Sequence, residues 1–305
     1  MVTISNLQKS YGRFRVLDGL YMNIPDGEVY GFLGKNGCGK TTTMNILCNV
    51  IPKDGGDIIL GNGSEDEKIK IGYLPETPSL FGYMNGIEYL KYIAACCRYQ
   101  GDINKRIDEV LEITGMKEGA KRRIKGYSRG MNQRLGIASI IFDHPQILVL
   151  DEPTSALDPE GRADIMNVIR VLSDTGCTII LCTHILSDVE KVAGSIGILK
   201  NGRMSVEGKI SDILSQYSRD EIEIRLYETN ENSIEAIKAL EALPQVDKVD
   251  FYEKTGAFVI RTADTEAVTK RLLECFNQHS IVPKEFKTVS EGLEQIYLKV
   301  VNGNA

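Results

Sequence analysis

The chain has 305 residues, with 36 Lys plus Arg against 42 Asp plus Glu and a formal net charge of −6. Its 42% hydrophobic and 26% charged residues exclude a wholly disordered or fibrous protein. The acidic balance argues against a partner held by bulk neutralisation of nucleic-acid phosphates.

The length suits two domains of about 150 residues each. No window of about 18 uncharged apolar residues is present, so no membrane-spanning helix is expected. The opening MVTISNLQKSYGRFRV lacks the apolar core and small-residue cleavage site of a secretory signal. Seven cysteines without C-x-x-C spacing point to reduced thiols in a cytosolic protein. With three histidines in the chain, a histidine metal cluster is not expected.

In chain order, the stretches around Val2 to Ile4, VLDGLYMNI and EVYGFLG read as strands, punctuated by Pro25-Asp26-Gly27. MNILCNVI is a helical run ending near Pro52, and DIILGNG and KIGYLPE are short strands. IEYLKYIAACCRY, INKRIDEVLEITG and MNQRLGIASIIF carry helical spacing. QILVLDEP and CTIILCTH are continuous apolar runs, the pattern of strands buried on both faces, with the helix ADIMNVIRVLSDTG between them. The alternation predicts a parallel α/β sheet. Near Ser211 to Ser218 the pattern breaks. The remainder reads β-α-β-β-α-β and a last helix, a split βαβ order, with a domain boundary near residue 216.

Gly34-Lys35-Asn36-Gly37-Cys38-Gly39-Lys40-Thr41 fits G-x-x-x-x-G-K-[ST] between a strand and a helix. Glycines let the backbone turn its N–H groups onto a phosphate, and the helix adds its positive end. Lys40 is placed to reach the β and γ phosphates and Thr41 to ligate Mg²⁺. Cys38 stands where a small residue is usual, and small size is its favoured reading; beside it, a thiol at a helix N-terminus is expected to be alkylated before the other cysteines. Further on, Asp151 and Glu152 close a buried strand. Asp151 suits the second Mg²⁺ position, and Glu152 a base for the attacking water.

The phosphate loop, KGYSRGMNQRLGIA, LVLDEPTSALDP and CTH occur in this order. Over about residues 1–215 the chain resembles the nucleotide-binding subunit of ABC transporters. YSRGMNQR resembles the family signature LSGGQ-x-QR, with Ser128 and Gly130 retained and Tyr127, Arg129 and Met131 replacing the usual residues. That variant, GYLPE and the appended C-terminal region look like the branch of bacitracin, lantibiotic and multidrug exporters.

The resemblance implies a P-loop NTPase fold of RecA-like kind, residues 1–215, with a helical subdomain at about 77–142. Residues 216–305 are then an accessory domain of ferredoxin- or ACT-like kind. It implies ATP and Mg²⁺ as ligands, with ATP on residues Gly34 to Thr42 and Tyr11 stacked on the adenine. It implies a homodimer in which Ser128 and Gly130 reach the partner's γ-phosphate and Asp158 lies in the loop crossing between subunits. It implies that His184 contacts the γ-phosphate and positions the water, a structural strand-end histidine being the alternative. N-cap or turn roles are the alternatives for Ser128 and Asp158. Glu76 replaces the family's Gln, so it can meet the metal or its water but cannot donate a hydrogen bond.

A separate membrane permease is the expected partner, with the cassette peripheral on the cytoplasmic membrane face. The apolar, aromatic stretch of residues 77–100 is the expected landing place. The alternatives are an importer ATPase with a regulatory C-terminal domain and a soluble, non-transport ABC ATPase. The single signature and the acidic charge weigh against the second.

Overall fold

The structure is a computed structural model. It describes residues 1–61, 63, 69–217, 220–253, 255–262, 264–290 and 292–302. Two compact units are present: Met1–Ile210 with Val300–Ala305, and Ser211–Lys299.

The first unit begins β1 (Val2–Tyr11), β2 (Phe14–Ile24), β3 (Val29–Gly34), α1 (Lys40–Leu47), β4 (Gly55–Leu60) and β5 (Ile71–Leu74). Helices α2 (Gly86–Cys96), α3 (Ile103–Ile113) and α4 (Arg129–Ile140) follow. Then come β6 (Ile147–Asp151), α5 (Pro159–Asp174), β7 (Thr178–Cys182), α6 (Leu186–Val192), β8 (Ser195–Lys200) and β9 (Arg203–Lys209), and α7 (Ile210–Tyr217) crosses the boundary.

The main sheet has the order β5-β6-β7-β3-β8-β9, parallel throughout except for β9, which runs antiparallel to β8. β3, β6 and β7 are buried at every position, which is why they read as unbroken apolar runs. The expectation of a single parallel sheet is corrected for the opening strands. β1, β2 and β4 form a separate antiparallel sheet, β2-β1-β4. Only Gly12 and Arg13 join β1 to β2, and a parallel pair needs a crossover of a dozen residues or more. Leu7, Leu20 and Ile24 of this sheet pack in one apolar cluster with Phe32, Val149 and Ile180 of the main sheet and Met44 of α1. Each such side chain contributes roughly 1.5–3 kcal/mol by leaving water.

The topology gathers chemistry at one end of the main sheet. β3, β6 and β7 are mutually parallel, so their C-terminal ends, at Gly34, Asp151 and Cys182, lie together. This is the sheet edge at which α/β proteins bind ligands. α1 ends at Leu47, short of the Pro52 expected from the sequence, and Asn49 takes a left-handed φ of +56° that stops it.

The second unit runs β10 (Asp220–Leu226), α8 (Glu231–Lys238), β11 (Val246–Tyr252), β12 (Ala257–Thr262), α9 (Thr265–Gln278) and β13 (Pro283–Ser290), and α10 (Leu293–Asn302) crosses the division after Lys299. Its sheet is antiparallel at every pairing, in the order β11-β12-β10-β13. One face, with Ile222, Ile224, Phe258 and Ile260, packs on Ile237 of α8 and on Leu272 and Phe276 of α9. The other is polar: Arg261 bonds Glu221 and Asp250, each at 2.8 Å. Period-two alternation in EIEIRL is the sequence trace of this two-sided sheet.

Candidate functional site

The loop from Gly34 to Gly39 joins β3 to α1. Gly37 and Gly39 take φ of +78° and +114°, a region that L side chains rarely adopt. At Gly34 space is the constraint: a Cβ would stand 2.5 Å from Cys38 Sγ and 2.8 Å from the Leu199 carbonyl. Lys40, 7% exposed, donates from Nζ to the Gly34 carbonyl at 2.7 Å and the Lys35 carbonyl at 3.4 Å. The loop thus holds its own ammonium group, ready for a stronger acceptor.

A cavity of about 400 Å³ opens over this loop. Asn36, Gly37, Gly39, Lys40, Thr41 and Thr42 line one side, and Glu76, Asp151, Glu152, Ser155 and His184 the other. Residues from five separated parts of the chain meet here, Val16 of β2 among them. Three lining side chains are acidic and one is Lys.

Asp151 ends β6 and is 3% exposed. Its carboxyl is held above the usual carboxylate range by burial. Thr41's hydrogen bond and Lys40's charge oppose that, while Glu152 and Glu76 add to it. Oδ1 is buried with no hydrogen-bond partner. An orphaned buried polar atom costs about 1–3 kcal/mol, more if charged. A hard divalent cation satisfies such an oxygen, and Mg²⁺ binds through one or two carboxylates plus waters and phosphate oxygens. The donor set of Asp151 and Thr41 fits that ion.

Glu152 takes φ +49°. For a residue with a Cβ the left-handed region costs roughly 1–2 kcal/mol. Its N–H donates to the Cys182 carbonyl at 2.8 Å, which ties the turn to the end of β7. The side chain meets His184: Nδ1 lies 2.9 Å from both carboxylate oxygens. A carboxylate only accepts, so Nδ1 is the donor in this pair. The imidazole is 53% exposed and the Glu152 side chain 12%, so the ring borders the open cavity while the carboxylate is sheltered behind it.

Of the other sequence candidates, Glu76 lines the cavity, whereas Tyr11, Ser128, Gly130 and Asp158 lie elsewhere. Tyr11 is 52% exposed on the β1–β2 hairpin with the Lys9 ammonium 5.6 Å from its ring, and does not line the cavity. Ser128 is the N-cap of α4, its Oγ accepting from Met131 N–H at 3.2 Å. Gly130 sits in the first turn behind it, and neither lines the cavity. Asp158 is the N-cap of α5, accepting from Gly161 N–H at 3.1 Å. Glu76 accepts from Ser155 Oγ at 3.4 Å, and its backbone carbonyl accepts from Gln133 Nε2 at 2.7 Å.

Residues 17–155 match the model of the ABC transporter family. The ATP-binding protein YxlF of Bacillus subtilis, described as an uncharacterized ABC transporter component, is 33% identical over 99% of this chain and 100% of its own length. The chain belongs to the ATP-binding proteins of ABC transporters. It is an ATPase that hydrolyses ATP to power transport. The bacitracin transport ATP-binding protein BcrA of Enterococcus faecalis is 31% identical over 99% of this chain and 97% of its own length. The dimeric cassette MJ0796, solved in a post-hydrolysis state with ADP and Pi, superposes with a TM-score of 0.61 at 26% identity, over 68% of this chain and 98% of that one.

Three residues of this ABC subunit escaped sequence reading. Val16 lines the cavity from β2. Ser155 contacts Glu76, and buried Thr183 donates to Glu152 Oε2 at 3.3 Å. Ser155 and Thr183 lie within the quoted motifs LVLDEPTSALDP and CTH, and that membership was their only signal. For Cys38 the expectation of an activated thiol is corrected. Burial pushes the thiol up, against the opposing pull of Lys40's charge and of backbone N–H groups, and the side chain packs at the edge of the apolar core. Small size is therefore the better account of this residue. Maleimide is expected to modify exposed Cys96 before Cys38, and Mg-ATP to leave the order unchanged; peptide mapping with time checks both.

Proposed function

We propose that the subunit drives export through a separate membrane permease, acting as a head-to-tail homodimer with two Mg-ATP between its cassettes. The convergence of Lys40, Thr41, Asp151 and the Glu152–His184 pair on one cavity carries the catalytic half of this reading. In it, backbone N–H groups of the loop from Gly34 to Gly39 and the start of α1 hold the phosphates. Lys40 exchanges its loop carbonyls for β- and γ-phosphate oxygens. Thr41 and Asp151 hold Mg²⁺, which offsets the charge of a triphosphate beside three carboxylates. Glu76 borders the metal and its waters. Glu152 accepts the proton of the attacking water, and His184 orients that carboxylate through Nδ1 while Nε2 faces the γ-phosphate.

Ser128 and Gly130 sit outside their own cavity, at a helix N-terminus. Such an end is an anion site, and here it serves the partner's γ-phosphate. Asp158 lies in the neighbouring crossing loop, and Tyr11 faces the adenine. That MJ0796 is dimeric supports the sandwich.

Export rests on BcrA being a bacitracin transport protein and on the surface of α2. Among the described residues no helix is long and apolar enough to cross a membrane. Phe81 stacks near Tyr83 at 5.8 Å and meets Tyr92 edge-on at 5.2 Å. Tyr83 and Tyr92 are exposed. This ridge is the proposed seat of the permease's cytoplasmic segment, which places the subunit on the inner membrane face. We assign residues 1–215 to the cassette, with its helical subdomain at about 77–142, and 216–305 to a ferredoxin- or ACT-like accessory domain. The β-α-β-β-α-β order and the sheet order β11-β12-β10-β13 support the latter.

The expected result of affinity purification from membranes is a co-purifying multispanning protein, lost when Tyr83 and Tyr92 are both changed to Asp while ATP binding persists. Retention of the complex in the double variant would place the permease elsewhere.

A further inference from the structure

Asp188, on α6, is 2% exposed. A carboxylate so buried needs partners for its oxygens. Oδ2 accepts from Thr154 Oγ1 at 2.8 Å, and Oδ1 from the Arg162 guanidinium at 2.8 Å. None of the three lines the cavity, so none has a role there through direct contact.

Their places in the chain suggest a different role. Thr154 is the second residue after Glu152, in a turn closed by Ser155 N–H donating to the Glu152 carbonyl at 3.1 Å. Asp188 is the fourth residue after His184, in a turn closed by its own N–H donating to the Ile185 carbonyl at 3.1 Å. The Thr154–Asp188 bond therefore ties the turn that carries the carboxylate to the turn that directly follows the imidazole. Glu152 needs such a tie, because its φ of +49° persists only where surrounding contacts over-determine it. The Glu152–His184 contact is short at 2.9 Å and loses its alignment if either turn relaxes.

We propose that Asp188 is a positioning residue for hydrolysis. Through Thr154 it holds Glu152 in register with His184, and Arg162, on α5, neutralises it where water cannot. This rests on the roles proposed above for Glu152 and His184.

The test uses the full chain as Asp188→Asn, Thr154→Val and Thr154→Ser, with two readouts. The first is the ring-proton NMR signal of His184 without nucleotide, assigned by its disappearance in His184→Gln. With three histidines in the chain, His144 and His279 serve as internal controls. The His184 signal is expected to move in Asp188→Asn and Thr154→Val, to return in Thr154→Ser, and the control signals to stay. The second readout is Mg-ATP turnover. A misplaced catalytic pair lowers kcat by about 10–100-fold, with KM for ATP held within about twofold because the phosphate loop is untouched. Thr154→Ser keeps the hydroxyl and turns over near the wild-type rate.

An unmoved His184 signal in Asp188→Asn overturns the proposal. So does a shift of all three histidine signals, or an equal loss of kcat and ATP affinity, since each marks a general structural fault. If the wild type shows no Mg-dependent hydrolysis, it is the reading of Glu152 that fails, and the NMR arm still decides Asp188.

Discussion

Glu152→Gln is expected to retain ATP affinity and to lose turnover by about 10²–10⁴-fold, the range supplied by a positioned general base. The amide is nearly isosteric, so the phosphate loop, Lys40 and Asp151 keep their places. What disappears is the anionic acceptor for the proton of the attacking water. The pair with His184 also changes, because Nδ1–H then meets a single carbonyl oxygen in place of two carboxylate oxygens. Three acids line this cavity, and removing one charge lessens repulsion with the γ-phosphate. Closure is favoured while discharge is blocked, so an ATP-bound dimer accumulates. Light scattering with ATP, beside a turnover assay, checks both halves. Normal turnover would show that Glu152 is not the base. An inactive monomer would show that closure depends on the permease. Ser128→Arg supplies the opposite case, ATP binding without dimerisation, because a bulky cation fills the helix-end anion site.

Lys40→Ala is expected to weaken ATP binding by about 10–100-fold, the worth of charge-assisted hydrogen bonds, and to cut turnover by at least about 100-fold, as losing a preorganised charge at the transferring group does. Lys40 is 7% exposed and its donors are already aimed at the loop by the Gly34 carbonyl, so the group is positioned before ATP arrives. EDTA is expected to abolish hydrolysis in the wild type, since the orphaned Asp151 oxygen and its acidic neighbours then face a triphosphate with no cation between them. Isothermal titration with ATP, and hydrolysis with and without EDTA, measure these effects. Wild-type turnover in Lys40→Ala would remove the phosphate-binding assignment.

Much of the site was legible because phosphate chemistry constrains short stretches of chain. A loop that must expose successive N–H groups needs glycine at Gly37 and Gly39, and the sequence spells this out between a strand and a helix. Asp151 and Glu152 were legible because a strand buried on both faces reads as an apolar run, and two acids at its end stand out. The element order of the second unit followed from period-two alternation and local turn residues, as in EIEIRL.

Other features depended on what the fold brings together. β8 was missed: SIGILK is short and interrupted by Gly197, yet pairing with β3 in the middle of the sheet buries it. The antiparallel placement of β1 and β2 turned on a two-residue connection that leaves no room for a crossover. The ready alkylation expected of Cys38 failed because the helix end that stabilises a thiolate is local, whereas the burial that opposes it comes from packing. The Thr154–Asp188–Arg162 clamp joins residues spread over 34 positions and leaves no local pattern. The sequence by itself marked the candidate residues that lie within single segments: the phosphate loop, the acids closing β6 and, through the family resemblance, the histidine after β7. Only the tertiary structure decided which carboxylate meets His184, which Asp151 oxygen stays without a partner and which buried groups hold the two turns together. The reason is physical: each of those depends on burial and contact between residues far apart in the chain, which local propensity and period do not encode.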